Sequence, residues 1–236
     1  MTSSPAAALD PWLERHDPHH PKQFEQLEPV LDHAPLYTGR MHAVATPIVA
    51  VLAGGGGRRM GAPKATATLA GRPLISYPLA AARCAGLEAV VVAKPDTPLP
   101  KLDAAVWAEP AAPQHPLRGL VTALERADGQ PVLALACDLP FVTPDLLAWL
   151  ARLGGPAAIP RVGGRLQPLL ARYDPGAVAH LTEALAGELP LSEAVAALRA
   201  RPVVEAQLRR FGPPSRLAFN VNTPAELAEA EGLLSG

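Results

Sequence analysis

Only two cysteines occur in the 236 residues, Cys84 and Cys137, and they do not form a C-x-x-C pair. They read as buried free thiols in a reducing compartment, so a cytoplasmic location is expected. Aromatic residues are also scarce at 4%, yet 49% of the chain is hydrophobic, so Ala and Leu must fill the core. That much apolar surface excludes disorder throughout and suffices for one domain of ordinary size. Neither sign of charge dominates: the net charge is −1. Without a global basic field, nucleic acid is not expected as a main partner. The longest apolar runs are strand-sized, too short to span a membrane. Residues 1–12 lack the charged start and apolar stretch of a secretory leader.

Two common phosphate-binding signatures are also missing. Gly56 and Gly61 have P-loop spacing, but Ala62 stands where that loop needs lysine. A dinucleotide fingerprint fails in both registers, because Arg59 and Met60 occupy the positions of its third glycine. What is present is a different loop. The apolar run Ile48–Leu52 reads as a buried parallel strand, and Ala53 and four consecutive glycines, Gly54 to Gly57, follow it directly. Glycine lets the backbone lie close against a ligand. Arg58, Arg59 and Lys64 add fixed cations. Strand, bare turn and cations together point to a polyphosphate site.

Residues 1–44 are rich in Pro, His, Asp and Glu with weak apolar periodicity, and are expected to form a poorly packed extension with at most a short helix over 24–31. His16, Asp17, His19 and His20 read as solvated. A single domain is expected over 45–236. After the glycine loop the pattern gives a turn over 69–73, a helix over 73–85 begun by Pro73, and a second buried strand over 89–93. This order sets the class as α/β with a mainly parallel sheet, whose ligands lie beyond the carboxyl ends of strands. Lys94 sits at such an end and reads either as a contact to base or phosphate or as a surface lysine. A short strand over 104–108 ends at Glu109, a helix runs from about His115 to Ala127, and a buried strand over 131–136 ends at Asp138. An aspartate there either caps the next turn or binds Mg²⁺, which favours carboxylate and phosphate oxygens together. Thr143 and Pro144 open a helix to about Leu153. Strands are expected over 157–161, 166–173 and 203–206, with helices over 175–186 and 191–200. Thr223 caps a last helix begun by Pro224. Asn222 is either part of that cap or a ligand beside Asp138.

The loop L-A-G-G-x-x-x-R-M-G-x-x-K-A, here Leu52 to Ala65, resembles the signature of the molybdenum cofactor guanylyltransferase-like (MobA-like) nucleotidyltransferases. Three further segments match in order over about 47–232: Pro116–Leu117–Arg118–Gly119–Leu120, Cys137–Asp138–Leu139–Pro140–Phe141 and Asn220–Val221–Asn222–Thr223–Pro224. The run Gly164 to Leu169 is similar to a family segment near the second substrate, where Arg161 and Arg165 read either as contacts to its phosphate or as solvated. Pro63 departs from the Asp that many members carry before the lysine.

The resemblance implies a Rossmann-like three-layer α/β/α sandwich and Mg²⁺-dependent transfer of GMP from GTP to the terminal phosphate of molybdopterin. It implies that Leu52, Ala53, Gly54, Gly55, Gly56, Arg59, Lys64, Lys94, Glu109 and Asp138 bind nucleotide. Arg59, Lys64 and Asp138 are the implied catalytic residues, Asp138 and Asn222 the implied metal ligands. Glu109 falls where the family places an acid that reads guanine, since a carboxylate accepts from both N1–H and the 2-amino group. GTP and molybdopterin are then the small-molecule partners, with transient contact to molybdoenzymes or cofactor-insertion proteins, and the chain is expected as a monomer or weak oligomer. Two readings stay open: cytidylyl transfer to the same cofactor or nucleotidyl transfer to a sugar phosphate or phospholactate, and a nucleotide-binding accessory protein without turnover.

Overall fold

The computed structural model describes residues 45–54, 60, 63–113 and 115–235. Residues 44–236 form one compact unit. The extension expected over 1–44, with its helix and histidines, lies outside the described residues.

Eight strands make the main sheet: β1 (Ile48–Leu52), β4 (Ala89–Ala93), β5 (Ala105–Ala108), β6 (Val132–Ala136), β7 (Ala157–Val162), β8 (Arg165–Leu166), β9 (Leu170–Tyr173) and β10 (Arg201–Val203). Their order is β10-β7-β9-β6-β1-β4-β5, with β8 paired to β7. β6, β1, β4 and β5 run parallel; β9 is antiparallel to both β6 and β7. Central strands β1 and β6 are buried at every residue, as unbroken apolar runs require when both sheet faces are covered.

Alternation along these strands builds two cores. Val49, Val51, Val91, Leu133 and Leu135 face one side, beneath the helices α1 (Ser76–Cys84) and α3 (Pro144–Ala151). Ile48, Ala50, Val90, Val92, Val132 and Ala134 face the other, beneath α2 (Pro116–Arg126) and α4 (Ala177–Ala186). Helix, sheet, helix is the three-layer α/β/α arrangement that the resemblance implies. The helices start where their caps stand: His115 Nδ1 accepts from Leu117 N–H with Pro116 at the first turn, and Thr143 Oγ1 accepts from Leu146 N–H ahead of Pro144.

A third, smaller cluster carries the carboxyl-terminal segment to the sheet. The hairpin β2 (Thr68–Leu69) and β3 (Arg72–Pro73) turns through Ala70 and Gly71, both at positive φ, which suits a two-residue hairpin. Leu69 packs with Leu74, Tyr77, Phe141, Val221 and Ala230, the last on α8 (Pro224–Ser235). The Phe141 and Phe219 rings meet edge-on at 5.9 Å. Val221 N–H donates to the Asp138 carbonyl at 3.0 Å, and so the chain next to Asn222 is fixed to the end of β6.

The structure departs from the sequence pattern at several ends. Pro73 does not begin a helix: it pairs with Thr68, and α1 starts at Ser76, whose hydroxyl donates to the Pro73 carbonyl. The strand expected over 166–173 is broken at 167–169, because β8 pairs outward with β7 while β9 pairs inward with β6. The helix α5 (Leu191–Ala196) ends before 200. The strand expected over 203–206 is instead β10, ending at Val203, followed by the short helix α6 (Glu205–Leu208). The Gln207 side chain accepts from Val204 N–H and favours that turn. The four-residue helix α7 (Pro214–Leu217) has no counterpart in the sequence pattern.

Candidate active site

The chain leaves β1 for β4 and β5 on one side, then returns to β6 on the other. Between β1 and β6 the strand order reverses, and beyond the carboxyl ends of such a pair an α/β sheet opens its crevice. A cavity of about 1030 Å³ lies there. Among the residues lining it are Leu52, Ala53, Gly54, Lys64, Lys94, Glu109, Asp138 and Asn222. Thus the described residues implied as nucleotide, catalytic or metal contacts all face one space, although they come from segments up to 170 positions apart (52 to 222). Gly55, Gly56 and Arg59 lie outside the described residues.

At the β6 end, Asp138 is 5% exposed. Lys64 donates to its Oδ2 at 2.7 Å and also to Asn222 Oδ1. The lysine is carried by a short 3-10 turn, Lys64–Thr66, after Pro63. The side chain of Asn222 has a fixed orientation: its Nδ2 donates to the Asn220 carbonyl, which leaves Oδ1 facing the ammonium. Its backbone N–H donates to Glu226 Oε2, while Thr223 Oγ1 accepts from Glu226 N–H. The capping alternative for Asn222 is seen directly, since Glu226 on α8 holds its backbone N–H, and its side-chain oxygen meets Lys64 beside Asp138.

This corner fits a divalent cation. The Lys64 ammonium already stands as a positive group between a carboxylate and an amide oxygen. Among the described residues no group of three or more His, Cys, Asp or Glu forms a cage. One carboxylate together with substrate phosphates is the donor set that magnesium takes.

At the β5 end, Glu109 is 4% exposed. Its N–H donates to the Ala93 carbonyl at 2.8 Å, which extends the β4–β5 ladder by one residue. Burial raises the carboxyl above its usual range, opposed chiefly by Lys94 and then by Arg118. Lys94 Nζ is 3.4 Å from Oε1 and donates to the Ala111 carbonyl at 2.8 Å. Two glycines make room for the acid. A Cβ on Gly54 would lie 2.9 Å from Glu109 Oε2; one on Gly119 would lie 3.0 Å from the same atom and 2.7 Å from Leu52 Cδ2. Gly119→Ala is accordingly expected to weaken nucleotide binding and to destabilise the fold. Overpacking costs about 1–3 kcal/mol, against a helix-propensity gain of at most about 1 kcal/mol. Thermal unfolding checks it: an unchanged or raised Tm would mean that Leu52 and Glu109 yield freely.

Cys137 is buried at the cavity wall, and burial next to the Asp138 charge pushes its thiol up to about 12, so it stays protonated. Arg161 and Arg165 do not line the cavity; Arg161 bonds across its own hairpin to the Gly164 carbonyl. Gln167, Pro168 and Leu169, from the same segment, do line it. Sequence reasoning missed Asp96, Thr97, His115, Leu191 and Asn220. Asp96 and Thr97 follow the carboxyl end of β4, so the strand-end rule pointed to them. Leu191 arrives through the topology and carries no sequence signal.

Comparison with known proteins gives one answer. The MobA-like NTP transferase domain family matches residues 49–203. Over 183 residues the chain is 31% identical to a probable molybdenum cofactor guanylyltransferase of Pelotomaculum thermopropionicum, covering 76% of this chain and 89% of that one. It is 38% identical over 195 residues to a molybdenum cofactor guanylyltransferase of Cereibacter sphaeroides, covering 78% and 95%. Among solved structures, the molybdopterin-guanine dinucleotide biosynthesis protein A of Archaeoglobus fulgidus superposes with a TM-score of 0.68 at 28% identity, over 80% of this chain and 98% of that one. A 2-C-methyl-D-erythritol 4-phosphate cytidylyltransferase of Thermus thermophilus, TM-score 0.59 at 23% identity, shares the fold. With the family match spanning all of the cavity lining except Asn220 and Asn222, the chain belongs to the MobA-like NTP transferases.

Proposed function

We propose that this protein transfers GMP from GTP to the terminal phosphate of molybdopterin and releases pyrophosphate. One observation carries the reading: a single cavity joins a cationic corner, Lys64 with Asp138 and Asn222, to a buried carboxylate, Glu109, at the neighbouring strand ends. The relatives named molybdenum cofactor guanylyltransferase support it.

In the reaction an oxygen of the acceptor phosphate forms a bond to the α-phosphorus of GTP, and the bond from that phosphorus to the leaving pyrophosphate breaks. The acceptor is already an anion, so no general base is needed, and the protein acts by positioning and by neutralising charge. Lys64 supplies a positive charge where anionic oxygens gather. The glycine loop, including Gly55, Gly56 and Arg59, is assigned to the triphosphate. Asp138 and Asn222 would hold Mg²⁺, which neutralises phosphate charge when bound. Glu109 accepts from guanine N1–H and the 2-amino group, a donor pair that cytosine lacks. Gln167 and Pro168, on the far wall, are assigned to the acceptor. No helix among the described residues is long and apolar enough to cross a membrane, and the free thiols Cys84 and Cys137 suit a reducing cytoplasm.

Pyrophosphate release measured with GTP, CTP, ATP and UTP, each with Mg²⁺ and molybdopterin, tests the proposal: release with GTP alone is expected, and release with CTP would move the protein to cytidylyl transfer. Glu109→Gln is expected to reduce the kcat/KM for GTP about thirtyfold, roughly 2 kcal/mol for hydrogen bonds to a charged acceptor, and to erase the preference for GTP over ITP. A variant that keeps that preference would remove Glu109 from base recognition.

A further inference from the structure

Lys94 was a candidate for direct contact with base or phosphate; its geometry gives it another task. β4 and β5 end in register, Ala93 opposite Ala108, so the next residues, Lys94 and Glu109, emerge side by side. The ammonium lies 3.4 Å from Glu109 Oε1, and its bond to the Ala111 carbonyl ties it to the proline loop that follows Glu109. Both side chains are largely withdrawn from solvent, at 14% and 5% exposure. On the opposite side Glu109 Oε2 rests against the bare backbones of Gly54 and Gly119. The carboxylate is thus clamped between two glycines and one lysine.

We infer that Lys94 is a positioning residue for base selectivity, holding the Glu109 carboxylate charged and aimed, and is not itself a phosphate contact. The inference rests on the proposed reading of Glu109 as the group that recognises guanine. Its chemistry follows from the donor count. A carboxylate accepts from both guanine donors; a protonated carboxyl carries a donor of its own on one oxygen and sets it against the 2-amino or N1–H group. Burial drives Glu109 toward the protonated form, and Lys94 is the largest opposing influence, ahead of Arg118. The end of β4 brings Lys94 and the loop residue Asp96; α2 brings Arg118 and, at its start, His115; the end of β1 brings only uncharged Gly54. With Lys94 gone, Arg118 alone opposes desolvation, and the proton stays on Glu109 to a higher pH.

Isothermal titration of the full chain with GTP and with ITP, which lacks the 2-amino group, tests this across mildly acidic to mildly alkaline pH. The wild-type ratio of ITP to GTP dissociation constants is expected to hold to lower pH than that of any variant without the Lys94 charge. In Lys94→Met it is expected to drop about tenfold at low pH, the value of one charge-assisted hydrogen bond, and to recover as pH rises and Glu109 ionises. Lys94→Gln, which keeps a donor for Ala111, is expected to show the same pH dependence as Lys94→Met, and Lys94→Arg, which keeps the charge, to follow the wild type. In a Glu109→Gln background Lys94→Met is expected to change the ratio no further, because the two act through one group. Equal weakening of GTP and ITP at every pH would reduce Lys94 to a structural prop and overturn the inference. Glu109→Gln losing selectivity while Lys94→Met keeps it at all pH values would overturn the role of Lys94 alone. Glu109→Gln retaining full selectivity would overturn both this inference and the base-recognition reading beneath it.

Discussion

Asp138→Ala is expected to lower kcat about a thousandfold, the upper range for removing one preorganised charge from a transfer site, while the fold survives. Asp138 lies where β6 leaves the sheet, and two of its roles separate cleanly. Its backbone carbonyl accepts from Val221 N–H and fixes the Asn222 segment; alanine keeps that bond. Its carboxylate meets only Lys64 among the described residues, and the lysine side chain is 21% exposed and retains Asn222 after the substitution. The pair is largely buried, but the remaining lysine keeps Asn222 and some solvent, so the cost is expected to stay below the about 3–5 kcal/mol of breaking a fully buried pair, and Tm to fall by several degrees without loss of the fold. Turnover is another matter. Without the carboxylate the corner keeps one amide oxygen, too weak a donor to hold a divalent ion against water. Pyrophosphate release at saturating GTP, followed beside a thermal melt, separates the two effects. Turnover within a few fold of wild type would exclude Asp138 from the reacting centre, and an unfolded variant would show that the carboxylate is structural.

The difference between what the residues disclosed and what they concealed lies in the range of the interactions. β1, β4 and β6 were legible because each is an apolar run buried on both faces, a condition written into five consecutive side chains. α2 and α3 were legible because their caps are local: a histidine or threonine followed by proline states the boundary within two residues. Asp138 stood out as a charged residue where the run of β6 stops. The misreadings fall where pairing at a distance overrides local preference. Pro73 is a plausible first residue of a helix until Thr68 claims it for a hairpin. β10, at the edge of the sheet, has three residues, two of them exposed, so no alternation marks its end. The same reason explains the site. Lys94 and Glu109 were each visible as residues at strand ends, but their meeting depends on β4 and β5 being neighbours in register. Likewise Lys64 and Asn222 are 158 positions apart, and the cluster of Leu69, Phe141, Val221 and Ala230, with the Val221 bond to Asp138, brings the second to the first.

The corner built by that cluster gives the second large effect. Lys64→Met is expected to lower kcat by about two to three orders of magnitude with a smaller change in the KM for GTP, because a charge that meets phosphate most closely during transfer contributes more to the transition state than to binding. Two features of the structure support placing the loss there. Among the described residues Lys64 is the cation paired with Asp138, and the 3-10 turn after Pro63 sets its backbone, with Thr66 and Ala67 N–H groups both donating to the Pro63 carbonyl. The ammonium is also short and compact. A guanidinium is planar and longer, so Lys64→Arg is expected to recover less than a tenth of the lost rate even though it preserves the charge. A second readout needs no turnover. The ammonium occupies Asp138 Oδ2 and Asn222 Oδ1, the two oxygens proposed to hold the divalent ion. Removing it is therefore expected to raise Mn²⁺ affinity measured by electron paramagnetic resonance, whereas Asp138→Asn is expected to reduce it. If Lys64→Met leaves kcat intact, the lysine serves only to neutralise an otherwise buried carboxylate. If kcat falls but Mn²⁺ affinity falls as well, the substitution has disturbed the corner itself, and the rate cannot be assigned to the missing charge.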